Sequence, residues 1–480
     1  MSDKITYLTA AIDYANGPPH MGHAIEKIGV DVMARYCRLR GEDVYLLLGM
    51  DEHGLKVMQS AESVGISPQE FVDDIANTFQ TTWTELGISN DDFIRTTQSR
   101  HRIAVEEMIS RMQAAGDIYR GKYSGYYCVG CEAFKRDDEL VRDGDIVRCP
   151  LHPSRDAQWT EEENWFFRLS RYQQQLLDLF DARPDFLQPD SRRNEVRNVI
   201  EAGLEDISVS RARLPWGIPW PGDTDHTVYV WIDALTNYLS AVGFPDDSYL
   251  RYWPADVHVI GKDITRFHCV YWPAMLMSAG VELPRTVWAH GFVAIDGMKI
   301  SKSEGVTLEL SDVVQRHGVD AFRYYMLRDV PWNGDGVFSL DRFDERYNAE
   351  LANNLGNLAN RAISMIERYR EGVVPAGSSA EMDGVLAASI AKYRAAMDAN
   401  LLHQGIGAAI ELASLGNGYV ETRAPWKAAK DPSQAGHLDE TLNALARCVA
   451  MLAVMLEPFM PMKMSSLRAG LGVGASEGLG

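Results

Sequence analysis

Two short segments of this 480-residue chain have the residue types and spacing to handle a polyphosphate. His20-Met-Gly-His23 follows the turn-forming run Asn16-Gly-Pro-Pro19 and opens a helical pattern, so two imidazoles and the unpaired N–H groups of a helix start converge on one point. Such a point suits an anion, and Gly22 leaves room for a base or ribose against the backbone. Far downstream, Lys299-Ile-Ser-Lys302-Ser303 lies between Asp296-Gly297 and Glu304-Gly305. It reads as a lysine-bearing loop able to close over the charge that develops on ATP when a carboxylate attacks its α-phosphorus. Alone, the first segment also fits capping or packing histidines and the second a solvated basic loop. Set at the two ends of one nucleotide fold, they read as a catalytic pair.

A third constellation has metal-ligand spacing. Cys128-x2-Cys131-x17-Cys149-x2-His152 offers two knuckles of thiolate and imidazole donors, the set expected for one tetrahedral zinc with no open position and hence a structural role. A redox Cys-x-x-Cys is the alternative, disfavoured by the second knuckle. Cys37, Cys269 and Cys448 are scattered and read as buried apolar residues. Asp51-Glu-His53 is not a metalloprotease signature, because the chain contains no His-Glu-x-x-His.

His20-Met-Gly-His23 and Lys299-Ile-Ser-Lys302-Ser303 resemble the HIGH and KMSKS signatures of class I aminoacyl-tRNA synthetases, and the residues around them resemble the methionyl-tRNA synthetase family from Ala11 to Trp426. Ile300 stands where methionine is typical, a conservative apolar change. The resemblance implies that His20, His23 and Lys302, with Lys299 in support, stabilise the pentacovalent phosphorus. It implies contacts to ATP or its covering loop from Glu26, Gly261, Asp263 and His290, with Arg211 paired to Asp263. It also implies a methionine pocket of Ala11, Ile12, Tyr14, Trp231, Leu235, Tyr238, His268 and Trp272, with Asp51 on the ammonium group; Leu235 stands where some members have proline. Asn357, Arg361 and Trp426 match the family's anticodon-reading elements. ATP with magnesium, methionine, and initiator and elongator tRNA(Met) are the implied substrates and partners, with a single structural zinc.

The elements that must position these residues are visible in the pattern. Ile5 to Ile12 is β-branched and apolar, a buried strand; Ile25, Ile28, Val32, Met33, Tyr36 and Leu39 recur at helical spacing; Gly41 stops the helix; and Val44 to Leu48 is a second buried strand. That βαβ unit is where an open α/β sheet binds nucleotides. Thr227 to Trp231, Val257 to Ile260 and Thr286 to His290 read as the sheet resuming. Beyond Leu340 the repeats Leu351, Leu355, Leu358, Ala359, Ala362 and Leu442, Leu445, Val449, Leu452, Leu456 predict a helix bundle.

The fold class expected is therefore α/β, a Rossmann-type parallel sheet split by a zinc-binding insertion and followed by an α-helical bundle. The predicted domains are residues 1–115 with 225–275 (catalytic sheet), 116–224 (insertion with the knuckles), 276–345 (loop and stem-contact region), 346–470 (anticodon-binding bundle) and 471–480 (tail).

Length and a 46% hydrophobic content suffice for several cores, and the formal charge of −20 excludes a nonspecific nucleic-acid binder. A specific tRNA enzyme would need clustered cations, for which Arg183, Arg192, Arg193, Arg197, Arg211 and Arg213 are the candidates. No apolar run reaches membrane-spanning length and no signal peptide is apparent, so the cytosol is the expected compartment. The sequence shows no appended C-terminal dimerisation or tRNA-binding domain, so a monomer is expected. Two rival readings are a nucleotidylyltransferase of smaller substrates, which has no use for the bundle, and a noncatalytic zinc-containing RNA-binding protein.

Overall fold

Ile5–Ala10 is the strand from which the main sheet grows. The computed structural model describes residues 4–128, 133–135, 137–144, 146–150, 152–212, 214–295 and 310–472. Ile5–Ala10 pairs in parallel with Asp43–Asp51 on one side and Val257–Gly261 on the other. Thr286–His290 and then Leu187–Gln188 continue the sheet beyond Val257–Gly261, while Asp92–Arg95 and the two-residue Asp13–Tyr14 both pair with Asp43–Asp51. Tyr7, Ala10 and Leu46 to Leu48 are fully buried, as the strands of a parallel sheet covered on both faces must be. Asp51, Gly261 and His290 end their strands on the same edge, so the sheet collects candidate site residues along its carboxyl margin.

The first helix, Met21–Leu39, is buried over most of its surface, charged residues included. Bare Gly29 receives the indole of Trp332, where an added Cβ would sit 2.0 Å from a ring carbon. Charges in such a helix must be paired: Asp31 bonds Arg35 at 2.8 Å and the fully buried Arg323 at 2.6 Å. Arg323 also donates to the carbonyls of Pro458 and Phe459 at 2.9 and 3.1 Å, which fastens the first helix to the end of the long bundle helix Ala435–Leu456. The bundle, formed mainly by Asn357–Arg370, Ala380–Asp398, Leu402–Arg423, Ala435–Leu456 and Pro461–Gly470, shares one continuous apolar core with the first helix. Leu355, Leu358, Ala362, Leu445, Val449, Leu452 and Leu456 are buried in it as their spacing predicts, Leu351 and Ala359 pack against it partly buried, and Leu442 is buried in a smaller core with Ile366, Ala428, Leu438 and Ala446.

The insertion departs from expectation in detail. Its centre is an antiparallel sheet in which Ile118–Cys128 pairs along its length with Gln158–Phe167. Leu187–Gln188, inside the predicted insertion range, leaves it to form the edge of the main sheet, drawn in by the burial of Phe186 and Leu187. Thr227 to Trp231 is not a strand of the main sheet. Asp223–Val228 belongs to a separate three-stranded antiparallel sheet, and the chain turns at Tyr229 into the helix Val230–Leu235. The arginine cluster is likewise spent internally: Arg183 donates to the carbonyls of Pro284 and Arg285, Arg193 to that of Phe180, Arg197 bonds Asp181 and Glu201, and Arg192 bonds Glu195. Arg213 lies outside the described residues. Among the described residues no helix is long and apolar enough to cross a membrane.

Candidate active site

The helix start carries its two histidines in fixed tautomers. His20 caps Met21–Leu39: the Gly22 N–H donates to its Nδ1 at 3.1 Å, and the His20 N–H donates to Nδ1 of His23 at 3.2 Å. A backbone N–H can only donate, so both Nδ1 atoms are bare and both Nε2 atoms carry the proton. The rings stack at 3.7 Å, and burial, with His20 adjacent, holds the His23 pKa well below its ordinary value. Two neutral imidazoles thus offer Nε2–H donors at the positive end of the helix.

One turn further on, Lys27 is fully buried and donates to the carbonyl of Ala11 (2.8 Å), to Asp13 (2.7 Å) and to Glu26 (2.6 Å). The other oxygen of Glu26 faces Nε2 of His290 at 3.0 Å, and Trp332 stacks flat on the His290 ring. Burial opposes the charge on Glu26, but Lys27 and His290 outweigh it and bring its pKa down to about 2. Asp13 goes the other way, because burial and the charge of Glu26 exceed the help from Lys27 and raise it to about 7. Sequence reasoning missed Asp13 and Lys27. The signal available was the charged stripe Lys27, Asp31, Arg35 and Arg38 on one helix face, whose members must find partners where that face is buried.

Behind this cluster lies a cavity of about 700 Å³ whose lining includes Ala11, Ile12, Tyr14, Asp51, Trp231, Leu235, Tyr238, Asp263 and His268. His20 and His23 are not among its lining residues; their helix is tied to the lining where Lys27 donates to the carbonyl of Ala11. Its deep wall is neutral. His268 donates from Nδ1 to the Ile264 carbonyl at 3.1 Å, so its Nε2 accepts the Tyr238 hydroxyl at 2.7 Å, and burial lowers its pKa to about 4. Trp231 stacks on Phe267 at 3.6 Å. Phe267, a lining residue that sequence reasoning did not single out, sits beside His268 in a π-helical turn, Phe267–Tyr271.

Other predicted residues fall as follows. Trp272 does not line the cavity: it is fully buried behind Tyr238, its Nε1 donating to Nε2 of His258 at 3.4 Å. Arg211 bonds Glu162 at 3.2 Å and covers the Tyr127 ring at 3.9 Å, in the antiparallel sheets of the insertion. The predicted partner Asp263 instead feels Glu26, His290 and Lys262, and burial raises its pKa. Gly261 packs its Cα against Asp263, where a Cβ would meet Oδ1 at 2.7 Å. Lys299 and Lys302 lie outside the described residues; the strand leading towards them, Val293–Ile295, begins three residues after His290.

In the insertion, the donor atoms of Cys128, Cys149 and His152 lie within 4.8 Å of one another, and His152 also lines the cavity. Two soft sulfur donors and an imidazole at that spacing fit zinc; Cys131 lies outside the described residues. In the bundle, Arg361 sits over the Trp426 ring at 5.7 Å and bonds Glu421 at 2.8 Å, while the Asn357 amide donates to Asn417 at 3.2 Å.

Comparison with known proteins bears on this arrangement directly. A family model described as tRNA synthetases class I (M) matches residues 6–158 and 147–363, and one described as the anticodon binding domain of methionyl tRNA ligase matches 371–477. The methionine–tRNA ligase of Brucella suis biovar 1 is 44% identical over 99% of this chain and 93% of its own length; that of Nostoc sp. is 42% identical over 98% and 91%. A solved Mycobacterium tuberculosis methionyl-tRNA synthetase in complex with methionyl-adenylate superposes with a TM-score of 0.93 at 42% identity, over 97% of this chain and 93% of that one. Given matches of that level across catalytic sheet and bundle alike, the chain belongs to the methionyl-tRNA synthetase family of the class I aminoacyl-tRNA synthetases.

Proposed function

We propose that the chain activates L-methionine with ATP to methionyl-adenylate and transfers the methionyl group to the 3′ ribose of tRNA(Met), initiator and elongator alike. The observation that carries this reading is the join of two unlike sites: a cavity lined by Asp51 and the neutral Tyr238–His268 pair, and the helix begun by His20 and His23, whose Lys27 donates to the carbonyl of the lining residue Ala11. Asp51 pairs with the substrate ammonium, and Trp231, Leu235 and Phe267 surround the thioether, which gains from aromatic contact and forms only weak hydrogen bonds. The methionine carboxylate attacks the α-phosphorus, pyrophosphate leaves, and the charge gathering on the phosphoryl oxygens is met by the Nε2–H groups of His20 and His23, the helix start, Lys302 and Lys299. No covalent enzyme intermediate forms, so catalysis is positioning and charge stabilisation.

Glu26, held ionised between Lys27 and His290, orients the ATP-facing end together with Gly261 and Asp263. Cys128, Cys149 and His152, with Cys131, would hold one zinc ion, which supplies a fold-stabilising crosslink within the insertion rather than a reactive centre. Magnesium accompanies ATP. Asn357, Arg361 and Trp426 read the anticodon, and the protein acts as a cytosolic monomer.

Methionine-dependent exchange of labelled pyrophosphate into ATP, run without tRNA, tests the reading. Exchange with methionine alone among the amino acids is expected; none is expected from a nucleotidylyltransferase of smaller substrates or a noncatalytic RNA-binding protein. His23→Ala and Lys302→Ala should slow adenylate formation far more than they weaken methionine binding, and equal loss of both removes their transition-state role.

A further inference from the structure

A second buried polar group, with no part in the chemistry above, lies behind the amino-acid cavity. Asp233 is fully buried; its Oδ2 faces Nδ1 of His53 at 2.6 Å and its Oδ1 faces Nε2 of His101 at 2.7 Å. His101 is itself fully buried, and its Nδ1 meets the Ser240 hydroxyl at 2.9 Å. Burial alone would favour a neutral Asp233, but the two histidines outweigh it and bring its pKa down to about 2. The carboxylate therefore takes one N–H from each ring.

The four residues come from four elements, three of which line the cavity. His53 lies two residues past Asp51, where the chain leaves the strand Asp43–Asp51. Asp233 sits on Val230–Leu235, whose Trp231 and Leu235 are four residues apart and so share the face turned to the cavity; Asp233, two residues from each, occupies the opposite face. Ser240 ends Asn237–Ser240, the short helix that carries Tyr238. His101 belongs to Ser99–Ala114, a regular helix that packs against Asn237–Ser240 and meets Val230–Leu235 through the His101–Asp233 bond. Helices of six and four residues without side-chain caps do not hold their own orientation.

We infer that His53, Asp233, His101 and Ser240 form a positioning clasp that ties the Asp51 strand end and the helices of Trp231, Leu235 and Tyr238 to the helix Ser99–Ala114, and so sets the affinity for the amino acid without touching it. The inference rests on the assignment of this cavity to methionine. Loosening the clasp lets Asp51 and the aromatic wall drift apart, a loss felt by methionine and not by ATP.

Side-chain chemistry supplies a test that a merely structural role would not pass. Asparagine places an amide N–H where His53 has Nδ1–H, and glutamine places one where His101 has Nε2–H, so both restore the donor to Asp233 without the ring. In pyrophosphate exchange with the full chain, His53→Ala and His101→Ala should raise the methionine KM by about 10-fold or more while the ATP KM stays within about twofold. His53→Asn and His101→Gln should recover most of that loss, and Ser240→Ala should give a smaller rise in the same direction. Should the alanine variants fail to fold by circular dichroism, the comparison of Ser240→Ala, His53→Asn and His101→Gln with wild type still decides. Near-normal Asn and Gln variants with a selective methionine defect in Ser240→Ala support the clasp. The clasp is overturned if the restoring variants are as impaired as the alanine ones, if methionine and ATP KM rise together, or if neither moves. Absence of methionine-dependent exchange in the wild type would be a different failure, that of the cavity's assignment, and would take the clasp with it.

Discussion

At the helix start the ion pair Glu26 and Lys27 meets Asp13, a carboxyl whose pKa is raised to about 7, whereas at the far end of the cleft Tyr238, His268 and His258 meet as neutral donors and acceptors. Both groups are buried, so the difference lies in proton count and not in exposure. The charged end has one lysine for two carboxylates, with His290 against Glu26. The neutral end is a relay of fixed tautomers in which Tyr238 donates to His268, His268 to the Ile264 carbonyl, and Trp272 to His258, whose Nδ1 faces Thr9 Oγ1 at 2.7 Å. A polyphosphate is held by preset charge and dipoles, while a thioether is best held where no buried charge competes for solvent.

Removing the cation should have the largest effect. Lys27→Met leaves Asp13 and Glu26 buried without their common partner, a change that costs about 3–5 kcal/mol when a buried pair is broken from one side. Urea unfolding measures it; a loss below about 1 kcal/mol would mean that the two carboxylates are neutral or hydrated and that the contrast drawn above is wrong. On the neutral side, His268→Ala strands the Tyr238 hydroxyl, only 1% exposed, without its acceptor. That loss is worth about 1–3 kcal/mol, read as a methionine KM raised about 10- to 100-fold with the ATP KM nearly unchanged. An equal rise in both would show that the two ends are not independent.

A pH series sharpens the same contrast. Asp13, raised from an ordinary 3.8 to about 7, binds more protons folded than unfolded, so its contribution to stability is present below that window and falls as pH rises from about 4 to about 7. Glu26, lowered from 4.5 to about 2, acts oppositely: its contribution is present above pH 4.5 and is lost as pH falls towards 2. Asp13→Asn should therefore remove a decline in urea midpoint between pH 4 and 7 and leave the acid limb in place. If the decline persists in the variant, Asp13 is not the group that titrates.

These contrasts were unevenly legible in the sequence. The turn at His20 to His23 could be read because a buried β-branched strand, a proline turn and a helical period follow one another within forty residues, and local chemistry dictates each. Lys27 and Asp13 were not read as partners because their meeting depends on the short Asp13–Tyr14 strand pairing with the end of Asp43–Asp51, a long-range event. Thr227 to Trp231 has the composition of a strand, yet packing of Trp231 and Leu235 on the cavity makes its second half a helix. The arginines from 183 to 197 look like a basic surface in one dimension, and apart from the helix neighbours Glu195 and Glu201 their carbonyl and carboxylate partners come from segments that the fold brings near.

Trp272 gives the finest test of where the cavity wall runs. Four residues past His268, it would share that residue's face on an ordinary α-helix, which agrees with the family resemblance that put both on the pocket. Trp272 nonetheless rests behind Tyr238, with a ring-centroid distance of 6.1 Å, while Phe267, His268 and Tyr271 of the π-helical turn Phe267–Tyr271 line the cavity. Its one polar tie is the 3.4 Å donation to His258, whose ring in turn stacks on Tyr238 at 4.1 Å. Trp272→Phe removes a long hydrogen bond and part of a ring from the supporting layer, so the methionine KM should shift by no more than about threefold, on the order of 0.5 kcal/mol. A rise matching that of His268→Ala would put the indole in contact with substrate, and the neutral wall would then have to be redrawn one layer further from the cleft.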